Sequence, residues 1–304
     1  MSAGHDHAPH GTHRTKLAIA FGITVAILVA EVIGAWWTNS LALLVDAGHM
    51  LTDASGLLMA LIAASLAMRP ATPERTWGYR RAEVLAAGAQ AAVLLGVGVY
   101  AFIEGVRRLF EPPEVTAGGL LVFGIVGLVG NIVSMLVLTS GRDANLNMRA
   151  AFLEVVNDAL VSVAVIVSAI VIMRTGWTPI DALAGMLIAA LIVPRAITIL
   201  RQAGSILLES TPPGLDLDDV RRHILEVPHV VGVHDLHAST IATGLPVLTA
   251  HVVVEDVCFT DGHAAQMLAD LQACVADHFD VSVEHSTFQL ETPTHNDSEH
   301  ATHD

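Results

Sequence analysis

Charge is scarce in this chain: 15% of its 304 residues are Asp, Glu, Lys or Arg, against 53% that are hydrophobic, and the mean hydropathy is +0.59. That balance excludes an ordinary soluble domain and predicts an integral membrane protein. Cysteine is nearly absent as well. Cys258 and Cys274 are the only two, both in the C-terminal third, which excludes a disulfide framework and points to a reducing compartment. Positive charge is missing from the same third: residues 209–304 hold 17 acidic and 2 basic side chains, while residues 1–208 hold 13 of each. The formal charge of −15 therefore belongs to the C-terminal part alone. An acidic, Lys-free region excludes nucleic acid as a partner and suits a cation-rich environment. No HExxH occurs, so the paired His and catalytic Glu of an intramembrane metalloprotease are lacking, and no enzymatic activity is expected. The N-terminus, MSAGHDHAPHGTHRTK, lacks the features of a removable signal peptide.

What is present is a series of six apolar segments: Leu17–Trp37, Leu41–Met68, Ala82–Leu109, Ala117–Thr139, Ala150–Met173 and Pro179–Leu200. Each reaches the roughly 20 residues that a bilayer core requires. Residues 1–15, with His5, His7, His10 and His13, read as a disordered His-rich tail, and 16–208 as a six-helix transmembrane domain. Six crossings put both termini on one side of the cell (inner or plasma) membrane. With the N-terminus inside, Arg14, Lys16, Arg69, Arg75, Arg80, Arg81, Arg142, Arg149, Arg195 and Arg201 are cytoplasmic, and only Arg107, Arg108 and Arg174 lie opposite. The excess predicts cytoplasmic termini. After Pro212-Pro213-Gly214 the period changes. Asp216–Glu226 and Asp261–His278 read as helices, and Val230–Ile241, Val247–Glu255 and Val281–Leu290 as strands, giving α-β-β-α-β over residues 209–292. Residues 293–304, with His295, His300 and His303, form a second polar tail.

Within the spans, two pairs of ionisable residues recur at i, i+4 spacing: His49 and Asp53 in the second, Glu154 and Asp158 in the fifth. That spacing stacks both side chains on one helix face, which is how one helix offers two ligands to one cation. A charged side chain at bilayer depth costs at least roughly 2.5 kcal/mol, so pairs of them need a compensating partner. One imidazole with three carboxylates suits a borderline divalent ion: zinc, with cobalt, cadmium or manganese also admitted by the oxygen-rich set. Three carboxylates crowded in low dielectric need positive charge from a divalent ion or from protons, so the two compete. Metal/proton antiport is the expected chemistry. Among the other polar groups of the spans, Gln90, Asn131 and Ser162 are expected to form interhelical hydrogen bonds, while Glu31 and Glu104 have no assigned role.

The runs SLALLVDAGHMLTDA, GYRRAEVLAA, RRLFEPPE, NMRAAFLEVVNDALVSVAVI, LLESTP and VVGVHDLHAS, in this order over residues 14–291, resemble the cation diffusion facilitator family. The resemblance implies a homodimeric six-helix carrier with a cytoplasmic ferredoxin-like domain, exporting zinc or related divalent ions in exchange for protons. It carries transport ligands onto His49, Asp53 and Asp158. Glu154 departs from it, because the zinc branches have His there. Harder ligands favour harder cations, while the retained His49 argues against an all-oxygen manganese site. The resemblance further implies a regulatory metal site at His234, His251, His263 and His285, with His237 as an additional candidate and Asp235 orienting a ligand. Ser239 stands where the family motif has Trp. Arg81 and Glu209 match positions of a charged contact between the membrane and cytoplasmic parts. The loop Arg69–Arg81 lacks the His and Asp ligands of some relatives, so no metal site is expected there. The alternative from another class is a membrane-anchored divalent-metal sensor or scaffold without transport.

Overall fold

The computed structural model describes residues 10–67, 69–139, 146–260 and 262–298. Six long helices come first: α1 (His10–Thr38), α2 (Leu41–Ala67), α3 (Ala82–Phe110), α4 (Ala117–Thr139), α5 (Leu146–Thr175) and α6 (Pro179–Leu207). Among the described residues five of them, all but α2, combine the length and hydropathy of a membrane span; α2, interrupted by Asp46, His49 and Asp53, is the sixth at 27 residues. The N-terminal tail is shorter than expected. Helix α1 starts at His10, directly after Pro9, so residues 10–15 continue the first span, each adding one backbone hydrogen bond to a helix already nucleated. His5 and His7 lie outside the described residues.

The chain forms two compact units, residues 1–60 with 89–200 and residues 61–88 with 201–304. In the first, small residues let helices approach. Side chains at Gly98 and Gly105 of α3 would collide with Val193 and Met186 of α6, and one at Gly34 of α1 would meet the Phe123 ring of α4 at 2.5 Å. Polar groups do the rest. Asp181, in the first turn of α6, accepts from the Ser40 hydroxyl at 2.5 Å and from the Leu41 N–H at 2.6 Å, capping the start of α2. The Gln90 amide of α3 donates to the Thr52 carbonyl of α2 at 2.9 Å, one residue before Asp53. Gly56 makes room for it, since any Cβ there would overlap the Gln90 amide. Glu104 pairs with Arg108 at 3.0 Å within α3.

The second unit contains α7 (Leu217–Leu225), β1 (Val230–Ala242), β2 (Leu245–Val254), α8 (Val257–Thr260), α9 (Ala264–Asp277), β3 (His285–Glu291) and α10 (Pro293–Asn296). Asp216 caps α7 by accepting from the Asp218 and Asp219 N–H groups. The sheet order is β1-β2-β3, with β1 and β2 antiparallel and β2 and β3 parallel. Helices α7 and α9 close its core with Val220, Ile224, Met267, Leu271 and Val275 against Val233, Leu248, Val252 and Phe288. This is the expected α-β-β-α-β ferredoxin-like arrangement. The last strand starts later than its alternation suggested, because the Val283 N–H bonds the Val275 carbonyl of α9 and its side chain enters the core. The second tail is not wholly irregular either: Thr292 caps the short α10, and His300 and His303 lie outside the described residues.

Candidate metal centres

The first centre is built where α2 meets α5. His49 Nε2 lies 3.5 Å from Asp53 Oδ2 one turn along α2, and 3.4 Å from Glu154 Oε1 on α5. The ligand atoms of these three residues all fall within 4.8 Å of one another, a spacing that one ion bridges. Asp158 stands outside that trio, one turn beyond Glu154. It is only 5% exposed, and its Oδ1 has no hydrogen-bond partner among the described residues, a costly state for a carboxylate unless a cation or proton completes it. His49 Nδ1 is likewise buried and unbonded.

Two sets of groups surround this centre, of which the Asn131–Ser162 interhelical bond was expected and the Arg195 contact was not. On one side, Arg195 of α6 directs Nη1 to both Glu154 oxygens, at 3.1 and 3.2 Å. On the other, polar groups line the helix interior. Asn131 of α4 donates to the Ser162 hydroxyl at 3.4 Å, and Ser162 donates to the Asp158 carbonyl at 3.0 Å. Gly127 of α4 accommodates both Ser162 and Glu31, whose Oγ and Oε1 would stand 3.0 and 3.1 Å from a Cβ there. Glu31 and Asp46 are buried acids inside the bundle, 2% and 1% exposed.

The second centre lies on the sheet. His234 of β1 is directly paired with His251 of β2, their rings 4.9 Å apart between centroids. Glu291, the last residue of β3, places Oε1 2.5 Å from His234 Nε2 and Oε2 3.6 Å from His251 Nδ1. These three form the other group whose ligand atoms lie within 4.8 Å of one another. A bulge between His234 and His237, with Asp235 at φ 48°, breaks the alternation of β1 and turns the Asp235 carboxylate onto His234 Nδ1 at 3.0 Å. Burial pulls the His234 imidazole's proton affinity down, but the bonds to Glu291 and Asp235 outweigh it, and its pKa lies above the ordinary value.

Of the five histidines expected here, only His234 and His251 come together. His285 starts β3 opposite Val247, four residues before the Gln289 that pairs with His251, so it sits about 13 Å down the sheet at strand spacing. Its ring meets the edge of Trp77, with centroids 4.9 Å apart. His263 precedes α9 and stacks on His229 with centroids 6.2 Å apart. His237 is largely exposed, 3.9 Å from Asp235. The missed ligand candidate is Glu291, whose signal lay in the strand ending TFQLE but required the parallel register of β2 and β3 to interpret. Arg81 and Glu209 do meet, at 2.7 Å, as an exposed pair of the kind that contributes little stability.

Comparison with known proteins agrees with both halves. Residues 17–208 match the cation efflux transmembrane domain and residues 212–292 the cytoplasmic domain of cation efflux proteins. The metal cation efflux system protein CzcD of Cupriavidus metallidurans is 41% identical over 291 residues, covering 96% of this chain and 90% of the relative. A cadmium, cobalt and zinc/H(+)-K(+) antiporter of Bacillus subtilis is 38% identical, covering 96% and 93%. The zinc transporter ZitB of Escherichia coli is 37% identical, covering 94% and 90%. With ionisable pairs on two long apolar helices, a ferredoxin-like domain and matches over nearly its full length, the chain belongs to the cation efflux, or cation diffusion facilitator, family.

Proposed function

We propose that this protein exports divalent metal ions across the cell membrane in exchange for protons, with His49, Asp53, Glu154 and Asp158 as the transport ligands. The observation that carries the reading is the convergence of His49, Asp53 and Glu154 from two membrane helices. Zinc is the first substrate on this reading. Cobalt and cadmium follow, in line with the names of the relatives, and manganese is admitted by the three carboxylates. When the ion leaves, the carboxylates need positive charge from elsewhere, and protons provide it; that exchange is the coupling. Alternating access then requires α2 and α5 to present the same ligands to either face in turn.

His234, His251 and Glu291 are proposed to hold a regulatory divalent ion, with Asp235 orienting the His234 ring, in a domain that forms the homodimer interface. Two imidazoles and a carboxylate match the donor set of zinc. The termini and the acidic domain are assigned to the cytoplasm by the arginine distribution.

The test is zinc, cobalt, cadmium and manganese uptake by the full-length protein in proteoliposomes under an imposed pH gradient. Metal uptake with counter-movement of protons is expected. Uptake that moves no protons and ignores the gradient would overturn antiport, and metal binding without any uptake would favour a sensor or scaffold.

A further inference from the structure

The transport site does not close its charge with its own ligands. Asp53, Glu154 and Asp158 around a neutral His49 carry three negative charges, one more than a divalent ion neutralises. The missing positive charge comes from α6, which supplies no ligand to the site. Arg195 Nη1 bonds both Glu154 oxygens, at 3.1 and 3.2 Å, while Glu154 Oε1 faces His49 Nε2 at 3.4 Å. One carboxylate is therefore shared between the imidazole that marks the ion's place and a fixed guanidinium. A carboxylate has lone pairs enough for both, so a bound ion need not displace the arginine.

We propose that Arg195 is a positioning and specificity-determining residue of the transport site, working through Glu154. This rests on the transport reading above. The guanidinium holds the Glu154 carboxylate aimed at His49, and its fixed positive charge offsets one of the three carboxylates that a metal ion meets. Glu154 and Arg195 together thus behave electrostatically as one neutral ligand that presents oxygen instead of nitrogen. An arginine within a span is itself costly unless partnered, and Glu154 is the partner shown for it. Pro194, directly before it, cannot donate the usual helical hydrogen bond to residue 190, so this turn of α6 has one backbone bond fewer. Arginine suits the role better than lysine because its planar donors keep a fixed direction toward a carboxylate.

The inference makes a sign prediction about a double-mutant cycle. Glu154→His alone leaves Arg195 as an uncompensated positive charge beside the ion. Arg195→Gln alone leaves three carboxylates unbalanced. The double variant restores two negative charges. In proteoliposomes at limiting zinc, each single change is expected to lower uptake by about tenfold or more, and the double to return to within about threefold of wild type, a non-additivity expected of partners in direct contact. Arg195→Lys keeps the charge without the planar donors and is expected to fall between wild type and Arg195→Gln. The double variant is further expected to discriminate more strongly against manganese than wild type, since it exchanges oxygen for nitrogen at the ion. Additive losses in the double, or an Arg195→Gln variant indistinguishable from wild type, overturn the proposal. If Arg195→Gln fails to elute as a folded protein, the comparison of Glu154→His with the double decides instead: more uptake in the double supports the pairing, and equal or less uptake refutes it. Absence of uptake by the wild type is a separate result, which would remove the transport reading itself.

Discussion

The two candidate metal centres use the same chemistry on different scaffolds. On the apolar helices, His49 and Asp53 of α2 meet Glu154 of α5, and Arg195 of α6 pairs with Glu154. On the sheet, three strands each contribute one candidate ligand, and the bulge at Asp235 holds the His234 ring by a hydrogen bond. A cargo site must release what it binds, and it gains from neutralising charge that lies outside its ligand set. A regulatory site gains from ligands locked by their own hydrogen bonds. The contrast predicts that the membrane centre controls rate and the sheet centre controls occupancy.

The sharpest way to break that contrast is to remove a membrane ligand. His49→Ala or Asp158→Ala is expected to reduce zinc uptake by roughly a hundredfold or more, beyond the usual effect of an outer-shell change. Retained uptake would move the cargo site elsewhere. Next in size, Glu291→Gln is expected to weaken divalent binding at the sheet by about 10- to 100-fold, read by calorimetry on the full-length protein. Uptake at saturating zinc should fall by less than about threefold, since no transport ligand is touched. A larger loss would merge the two centres functionally. Gly56→Ala is a milder perturbation of the membrane side. The added methyl pushes Gln90 off the Thr52 carbonyl next to Asp53 and is expected to cost about 1–3 kcal/mol, seen as a lower melting temperature in detergent. Smallest is a pH effect at the sheet in chelator-treated protein. His234 has a raised pKa, so its contribution to stability is fully present below the unfolded histidine value and is lost as pH rises through the folded one. Melting temperature should therefore decline modestly above about pH 6.5, and His234→Gln should flatten that slope.

The contrast also explains which parts were readable in advance. The helical candidates announce themselves, because i, i+4 spacing in an apolar run is both local and costly, and the structure brings His49, Asp53 and Glu154 of these pairs together. The sheet ligands depend on register. The family resemblance implied a site of His234, His251, His263 and His285, yet His285 falls four positions away along β3 and Glu291 is the residue that meets His234 and His251. Arg195 was legible only as one more cytoplasmic positive charge, since nothing local says that α6 turns it toward Glu154 of α5. Element order was recovered because apolar runs and turn residues are local. The parallel pairing of β2 with β3 was not, because it is set by the packing of α9.

The cap that Asp181 places on α2 bears on how the chain is assembled during synthesis. The N–H of Leu41 and the hydroxyl of Ser40 obtain their acceptor from a residue 140 and 141 positions later in the chain. Until the ribosome has delivered α6, the start of α2 lacks this cap, and afterwards Asp181 has a ready partner. The first-made and last-made helices of the transmembrane domain are thereby latched together only once α6 is made, and a chain stopped before residue 179 would lack the latch altogether.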